Sequence, residues 1–152
     1  MRDIHLQIEP GEFVSIVGQS GSGKTTLVKL MIAEERPTKG NIKVGGWDIT
    51  SLSNRSIPIL RRQIGVIFQD FKLLHNKTLF ENVAFALEVC GATTARINEV
   101  VPQVLQIVGL ENKKDRYPHQ VSGGEQQRAV IARSLVHRPK ILVADEPTGN
   151  LD

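Results

Sequence analysis

A loop near the start of the chain has the residue types that wrap a nucleotide phosphate. The loop and the threonine after it are Gly18, Gln19, Ser20, Gly21, Ser22, Gly23, Lys24, Thr25 and Thr26. The segment up to Thr25 fits the pattern G-x-x-x-x-G-K-[ST], in which glycines let successive backbone N–H groups converge on an anion. In this pattern Lys24 reaches the β- and γ-phosphates and the Thr25 hydroxyl binds Mg²⁺. A Gly/Ser-rich turn that matched by chance would not require the apolar strand and the helix that we expect on either side.

An acidic pair, Asp145 and Glu146, follows the apolar run 141–144. In proteins with a phosphate loop, an acid at the end of such a strand binds Mg²⁺, so Asp145 would hold the ion, most simply through a water molecule. Glu146 would orient and polarise the attacking water, a role that a hydrolase needs and a binding protein does not. The alternative is a strand end that turns into solvent. The phosphate loop in the same chain favours the catalytic interpretation.

The segment Ser122, Gly123, Gly124 and Glu125 predicts a second anion site. Its first and last residues form a capping box, a pair of reciprocal side-chain to backbone hydrogen bonds at the start of a helix. The alternative interpretation is that the segment is a helix cap and nothing more. A plain cap does not need two glycines, each of which costs about 1 kcal/mol of helix stability relative to alanine. Backbone amides at a helix N-terminus bind anions, so we expect the γ-phosphate to be gripped from this side as well.

Strands and helices alternate along the chain. Apolar, β-branched runs predict buried strands over 12–17, 64–68 and 141–144, and a half-exposed strand over 41–44 ends at a Gly45–Gly46 turn. Apolar residues at helical spacing predict helices over 24–33, 78–90, 95–110 and 122–137, and Pro102 either starts a new helix or kinks the third. This alternation predicts an α/β fold around a mostly parallel sheet, with ligands at the carboxyl ends of the strands.

Composition and charge narrow the class of protein. The 152 residues are 40% hydrophobic and 23% charged, enough for one domain with a real core. The net charge of +3 comes from scattered basic residues, apart from Arg61–Arg62 and Lys113–Lys114, which predicts a solvated surface and no nucleic-acid partner. No apolar run approaches the ~18 residues of a membrane span, and the N-terminus lacks the pattern of a signal peptide. Cys90 has no partner for an internal disulfide and is expected in the core.

Five features in order resemble the ABC transporter ATPase family. They are the phosphate loop (Walker A), Gln69 after a strand, the signature-like segment 121–126, the acidic pair (Walker B) and the segment 149–152. The resemblance implies a P-loop NTPase fold of the ABC type, with a mostly parallel core sheet, a small antiparallel β portion and an inserted helical subdomain. The implied limits are 1–70 for the Walker A core and β portion, 71–138 for the helical subdomain with the signature, and 139–152 for Walker B and the D-loop.

The resemblance also implies roles and an assembly. Gln69 would sense Mg²⁺ and the attacking water, so it joins the catalytic set with Lys24 and Glu146 and the metal set with Thr25 and Asp145. The signature segment would cap the ATP bound by the opposite subunit, and Leu151–Asp152 would cross the dimer interface. The implied cofactors are ATP and Mg²⁺, and the implied assembly is a head-to-tail homodimer with two ATP molecules between the subunits.

Within the family, the sequence resembles the branch of FtsE cell-division ATPases. Segments 57–74, 81–84 and 122–128 carry this likeness. It implies an integral membrane partner resembling FtsX and a peripheral position on the cytoplasmic face of the cell membrane. The lipoprotein-release and macrolide-export ATPases share 122–128 and 145–152, so they stay open as alternatives; the separating stretches are 60–62 and 71–74.

Departures from the family pattern qualify these expectations. The signature has Val121 where leucine is commoner and Glu125 where glutamine is commoner. The aromatic residue that stacks on adenine and the histidine that contacts the γ-phosphate have no counterpart in this sequence. We therefore expect a partial ABC ATPase domain, which leaves a nucleotide-binding module without turnover as an alternative. A DNA-repair or translation ATPase is disfavoured because 69–121 is too short for a coiled-coil insertion.

Overall fold

A computed structural model describes residues 4–146, so the predicted D-loop residues Leu151 and Asp152 lie outside the described part. The strand predicted over 12–17 is wrong. Phe13 is 96% exposed and Val17 is 88% exposed, and no described strand pairs with this segment. Its apolar composition is that of a strand, but a strand forms only where a neighbour supplies the backbone hydrogen bonds of a ladder.

Two short β pairs are formed by the described residues. β1 (Lys43–Val44) and β2 (Trp47–Asp48) are antiparallel and are joined by Gly45–Gly46, whose φ values of 54° and 85° suit glycine. β3 (Ile64–Ile67) and β4 (Ile141–Ala144) are parallel and in register from end to end. The predicted turn at Gly45–Gly46 is therefore confirmed, the β3–β4 pair is parallel as the predicted α/β fold requires, and the carboxyl ends of β3 and β4 lie at one edge.

Five α-helices fall in the described residues. They are α1 (Lys24–Met31), α2 (Ile57–Arg61), α3 (Leu79–Val89), α4 (Thr94–Ile107) and α5 (Gly123–Leu135), and two 3₁₀ helices, Glu111–Lys113 and Pro118–Gln120, precede α5. Pro102 lies inside an uninterrupted α4, so the alternative of a new helix at that residue is wrong. Of the helices within 4–146, none has both the length and the apolar character that crossing a bilayer requires.

Two hydrophobic clusters hold these elements in place. α3 packs on α4 and α5, and the cluster between them includes the fully buried Leu79, Val83, Val101, Leu105 and Val130. The second cluster joins α1, the β1–β2 pair and the β3–β4 pair, and it includes Val28, Ile49, Leu60, Ile64 and Val143. Each such side chain stabilises the fold by about 1.5–3 kcal/mol when it is fully buried. The clusters position the start of α5 and the end of β4, whereas the predicted subdomain limits remain a prediction.

Burial differs from the sequence-based expectation at two places. β4 is not buried on both faces, because Leu142 is 50% exposed and only Val143 belongs to the core. Cys90 forms the C-cap of α3 and is half-buried rather than a core residue. Both residues lie at the end or the edge of an element, where apolar composition gives little information about depth.

Candidate nucleotide-binding site

The phosphate loop ends at a helix start that lacks a side-chain cap. Gly23 is the N-cap of α1 with φ 102°, and Gly21 has φ 79°, so both positions favour glycine. Ser22 N–H donates to Gln19 O at 3.2 Å and closes the turn of the loop. The first turn of α1 contains no acidic residue. Its N–H groups and the positive end of its dipole therefore face the loop without an internal anion.

Lys24 connects the loop to the end of β4. Its Nζ donates to Gly18 O at 2.9 Å and to Gln19 O at 3.2 Å. The same Nζ lies 3.7 Å from Glu146 Oε1, and the two side chains are 21% and 46% exposed. The Lys24 ammonium group thus contacts both the phosphate loop and the acidic pair, the two segments that the sequence assigns to ATP hydrolysis.

The acidic pair leaves β4 with a change of backbone conformation. Asp145 N–H donates to Ile67 O at 2.9 Å, which extends the parallel ladder by one residue, and Asp145 is only 7% exposed. Glu146 has φ 49°, a left-handed conformation that costs a non-glycine residue about 1–2 kcal/mol. Strain of this kind is typical of sites where the structure must aim one side chain. Here it turns Glu146 toward Lys24.

A cavity of about 290 Å³ opens beside the loop. Its described lining is Ser20, Gly21, Gly23, Lys24, Thr25, Thr26, Gln69 and Glu146. Of the predicted metal ligands, Thr25 and Gln69 line it, whereas the largely buried Asp145 does not. Hydroxyl, amide and carboxylate oxygens are the donors that a hard cation such as Mg²⁺ prefers, so the residues present fit that ion. Most of the predicted phosphate and catalytic groups therefore meet in one cavity.

The signature segment stands apart from this cavity. Ser122 Oγ accepts the Glu125 N–H at 3.3 Å, and Glu125 Oε2 accepts the Ser122 N–H at 3.0 Å, which confirms the predicted capping box. A methyl group on Gly123 would meet no described atom within 4 Å, and one on Gly124 would meet only Arg128 Nη1 at 4.0 Å. Packing within residues 4–146 therefore does not require either glycine. In the described cavity lining, none of the four predicted residues appears.

Lys113 is a contact that sequence reasoning missed. Its Nζ lies 2.5 Å from Glu125 Oε1, and Arg128 Nη2 lies 4.0 Å from the same oxygen. The Lys113 hydrogen bond, followed by the Ser122 backbone, holds the pKa of the Glu125 carboxyl below its ordinary value. The basic pair Lys113–Lys114 is the available sequence signal, but a short basic pair more often indicates a solvated surface.

Arg133 is a second missed contact, and it holds the segment that follows Gln69. Its Nη1 donates to Lys72 O at 2.7 Å and its Nη2 donates to Phe71 O at 2.9 Å. Phe71 and Lys72 have φ values of 58° and 49°, so two consecutive left-handed residues are clamped by one guanidinium on α5. Burial lowers the pKa of Arg133. Nothing in the local sequence pattern predicts this pairing.

A family model described as ABC transporter matches residues 1–149. The chain is 55% identical over 150 residues to the cell division ATP-binding protein FtsE of Mycobacterium tuberculosis, covering 99% of this chain and 65% of that protein. The chain belongs to the ABC transporter family. FtsE of Bacillus subtilis is 53% identical over 152 residues, covering 100% of this chain and 67% of its own length. This ABC chain thus spans about two thirds of the length of these relatives.

Solved ABC cassettes share the fold. A dimeric structure of an ATP-binding cassette in a post-hydrolysis state, bound to ADP and Pi, is 36% identical with a TM-score of 0.88, covering 97% of this chain and 66% of that one. A dimeric bacterial ABC transporter cassette is 37% identical with a TM-score of 0.89 and covers the same shares. The predicted family, fold class and likeness to FtsE are confirmed. The methionine import protein MetN of Cupriavidus pinatubonensis is also 49% identical over 152 residues, which is 44% of its length.

Proposed function

We propose that this ABC chain binds Mg-ATP at the phosphate loop and provides most of the machinery that hydrolyses it. The contact of Lys24 with both the loop carbonyls and Glu146 is the observation that carries the proposal. On binding, Lys24 Nζ exchanges the carbonyl oxygens of Gly18 and Gln19 for phosphate oxygens, and the uncapped start of α1 supplies N–H donors. The ADP and Pi named for a cassette with the same fold support ATP as the ligand.

The hydrolytic step is assigned to groups at the carboxyl edge of β3 and β4. Glu146 orients and polarises the attacking water, and Lys24 stabilises the charge that develops on the phosphate oxygens. Thr25, Gln69 and Asp145 supply the oxygens that would hold Mg²⁺, which neutralises phosphate charge when it is bound. The left-handed φ of Glu146 supports its role, because a backbone held in this conformation at the end of β4 is what brings its carboxylate beside Lys24.

The signature segment is proposed to act on the ATP of an opposite subunit in a head-to-tail homodimer. Three observations support this. Gly123 faces open space and Gly124 faces only the end of Arg128, the segment does not line the described cavity of its own chain, and the solved cassettes with this fold are dimeric. Ser122 Oγ already accepts a hydrogen bond from Glu125 N–H, so its hydroxyl proton is the group that would reach a phosphate oxygen.

The assembly is proposed to work in cell division with an integral membrane partner resembling FtsX, from a peripheral position on the cytoplasmic face of the membrane. The support is the 53–55% identity to proteins named FtsE. The 49% identity to a methionine importer keeps solute transport as the second candidate. Purification of the complete protein from its own membranes discriminates the two: an FtsX-like partner supports the first, and a permease supports the second.

Measured ATP turnover of the complete protein tests the proposed chemistry. Glu146→Gln keeps the size of the side chain but removes the carboxylate, and we expect kcat to fall by about 100-fold or more with ATP binding retained. Glu88→Gln is the matched control, because it makes the same change at an exposed position of α3. Equal turnover in the two variants would rule out Glu146 as the group that activates water.

A further inference from the structure

The Glu125 carboxylate lies at the start of α5, where the proposed function places a phosphate of the opposite subunit's ATP. Its side chain is 15% exposed, and one oxygen is used by the Ser122 N–H of the capping box. An anion at this position competes with a phosphate for the positive end of the helix dipole. The ionised Glu125 carboxylate of the capping box therefore repels the phosphate that the same helix start is proposed to bind.

Lys113 offsets that charge directly. Its Nζ lies 2.5 Å from Glu125 Oε1 on the side opposite the capping hydrogen bond, so both carboxylate oxygens are engaged. The Glu125 side chain is 15% exposed and the Lys113 side chain 46% exposed, so solvent screens the pair from the lysine side only. Arg128 is the other cation nearby, but its Nη2 is 4.0 Å away and belongs to an i,i+3 pair on one helix, an arrangement of small energetic weight.

The backbone that carries Lys113 is ordered by its neighbours. Lys113 ends the 3₁₀ helix Glu111–Lys113, and its N–H donates to the carbonyl of the fully buried Leu110 at 3.0 Å. Its own carbonyl accepts from Arg116 N–H at 3.0 Å. The ammonium group is therefore delivered to Glu125 from an anchored position rather than from a free surface loop.

We propose that Lys113 is a positioning residue for phosphate contact at the signature segment: it neutralises Glu125 and holds the capping box that aims the Ser122 hydroxyl. This inference rests on the proposed ATP-driven dimer. Lys113 acts through Glu125 and is not itself placed against the nucleotide. The lower pKa of the Glu125 carboxyl, caused first by the Lys113 hydrogen bond, agrees with a carboxylate that stays ionised beside this ammonium group.

Steady-state kinetics of Lys113→Gln and Glu125→Gln, alone and combined in the complete protein, test this role. In the parent we expect Lys113→Gln to lower kcat about tenfold, with KM within about twofold, because the opposite subunit's phosphate loop sets KM. In the Glu125→Gln background the same change should alter kcat by less than about twofold, since no charge remains to be neutralised. Lys113→Arg should recover most of the parent rate.

Lys114→Gln is the matched control. Lys114 is exposed, and its backbone carbonyl, not its side chain, makes its contact with Phe80. This variant should turn over ATP at the parent rate. Melting temperatures of all variants separate a structural effect from a positioning effect.

Each outcome decides between the two proposals. A parent protein without ATP turnover would overturn the proposed function and this inference with it. Turnover in the parent, with Lys113→Gln having the same effect in both backgrounds or none in either, would overturn the inference alone. If Lys113 and Glu125 are coupled in melting temperature only and kcat is unchanged, Lys113 is a stabilising residue. That result would also overturn the inference.

Discussion

Two helices of this protein begin at glycine-rich segments, but only one of the two helix starts has a side-chain cap. α1 begins after the left-handed Gly23, with no side-chain cap and no acid in its first turn. α5 begins after Ser122, which exchanges two hydrogen bonds with Glu125 in a capping box. Both have the small residues and free amides of an anion site, but only the first leaves all of its amides for a ligand.

The difference indicates how much each helix start can give to a phosphate. α1 offers the N–H groups of a whole first turn together with the Lys24 ammonium. α5 has already used the Glu125 N–H, and it keeps only the amides of Gly123 and Gly124 and the Ser122 hydroxyl proton. We infer that α1 binds nucleotide by itself, whereas α5 adds its few donors to a phosphate that is already held.

The largest expected effect is at α1. Lys24→Ala should weaken ATP binding by about 100-fold, because a charge-assisted contact to the phosphates is lost and Lys24 is the one basic residue among the described residues that line the cavity. Lys29→Ala on the same helix, whose exposed ammonium pairs with Glu34 and Glu35, is the control and should bind normally. Titration calorimetry measures both. Similar affinities in the two variants would show that the helix start does not depend on Lys24.

An intermediate effect is expected at the cap of α5, compared with the same cap on α3. Ser122→Ala and Thr78→Ala each remove a capping hydroxyl, so each should lower the free energy of unfolding by about 1 kcal/mol. Only Ser122→Ala should lower kcat, by about tenfold, since only this hydroxyl is proposed to donate to phosphate. Denaturation and turnover assays test the pair. Equal kcat values would leave Ser122 as a cap and nothing more.

A smaller effect separates the glycines of the two starts. The methyl group that Gly124→Ala adds meets only Arg128, at 4.0 Å. The free energy of unfolding should therefore be unchanged or rise by up to about 0.5 kcal/mol. ATP-driven dimerisation should weaken about fivefold, because the methyl group enters the proposed interface. Gly23→Ala should instead destabilise α1, because φ 102° disfavours alanine. Sedimentation of hydrolysis-deficient protein measures dimerisation. A fall in stability for Gly124→Ala would contradict this distinction.

The smallest effect is a pH dependence that the cap of α5 has and the start of α1 lacks. Hydrogen bonds from Lys113 and Ser122 lower the pKa of Glu125 in the folded state, so this carboxylate stabilises the fold above its ordinary pKa of 4.5. That contribution is lost as the pH falls below 4.5 through the lowered pKa. Glu125→Gln should therefore flatten the decline of melting temperature over this range. α1 has no acid in its first turn, so it has no capping carboxylate whose protonation would add to this decline.

Local patterns predicted much of the fold and the site. The capping box of α5, the Gly45–Gly46 turn and strands β3 and β4 all follow from residues within a few positions of each other. The phosphate loop and the acidic pair were found in the same way. These predictions succeed because the physical cause, a cap, a positive φ or a run of β-branched residues, is contained in the segment itself.

Other features could not be predicted because their cause lies elsewhere in the chain. The apolar segment 12–17 has strand composition, but pairing depends on a neighbouring backbone, and none of the described strands provides one. Arg133 binds carbonyls 61 and 62 residues away, and Lys113 reaches Glu125 across 12 residues. No periodicity specifies contacts of that range.

The sequence by itself determined which chemistry this protein carries, since glycine spacing, Lys24 and the acidic pair are properties of short segments. Only the tertiary structure decided how the two glycine-rich helix starts differ. α1 stays open because its cap is a left-handed glycine and the acid nearest its lysine, Glu146, arrives from β4. α5 is closed by its own Glu125, whose charge is met by a lysine from a separate 3₁₀ helix. The tertiary structure determines which charged side chains interact, because Coulomb interactions depend on distance in space and not on separation along the chain.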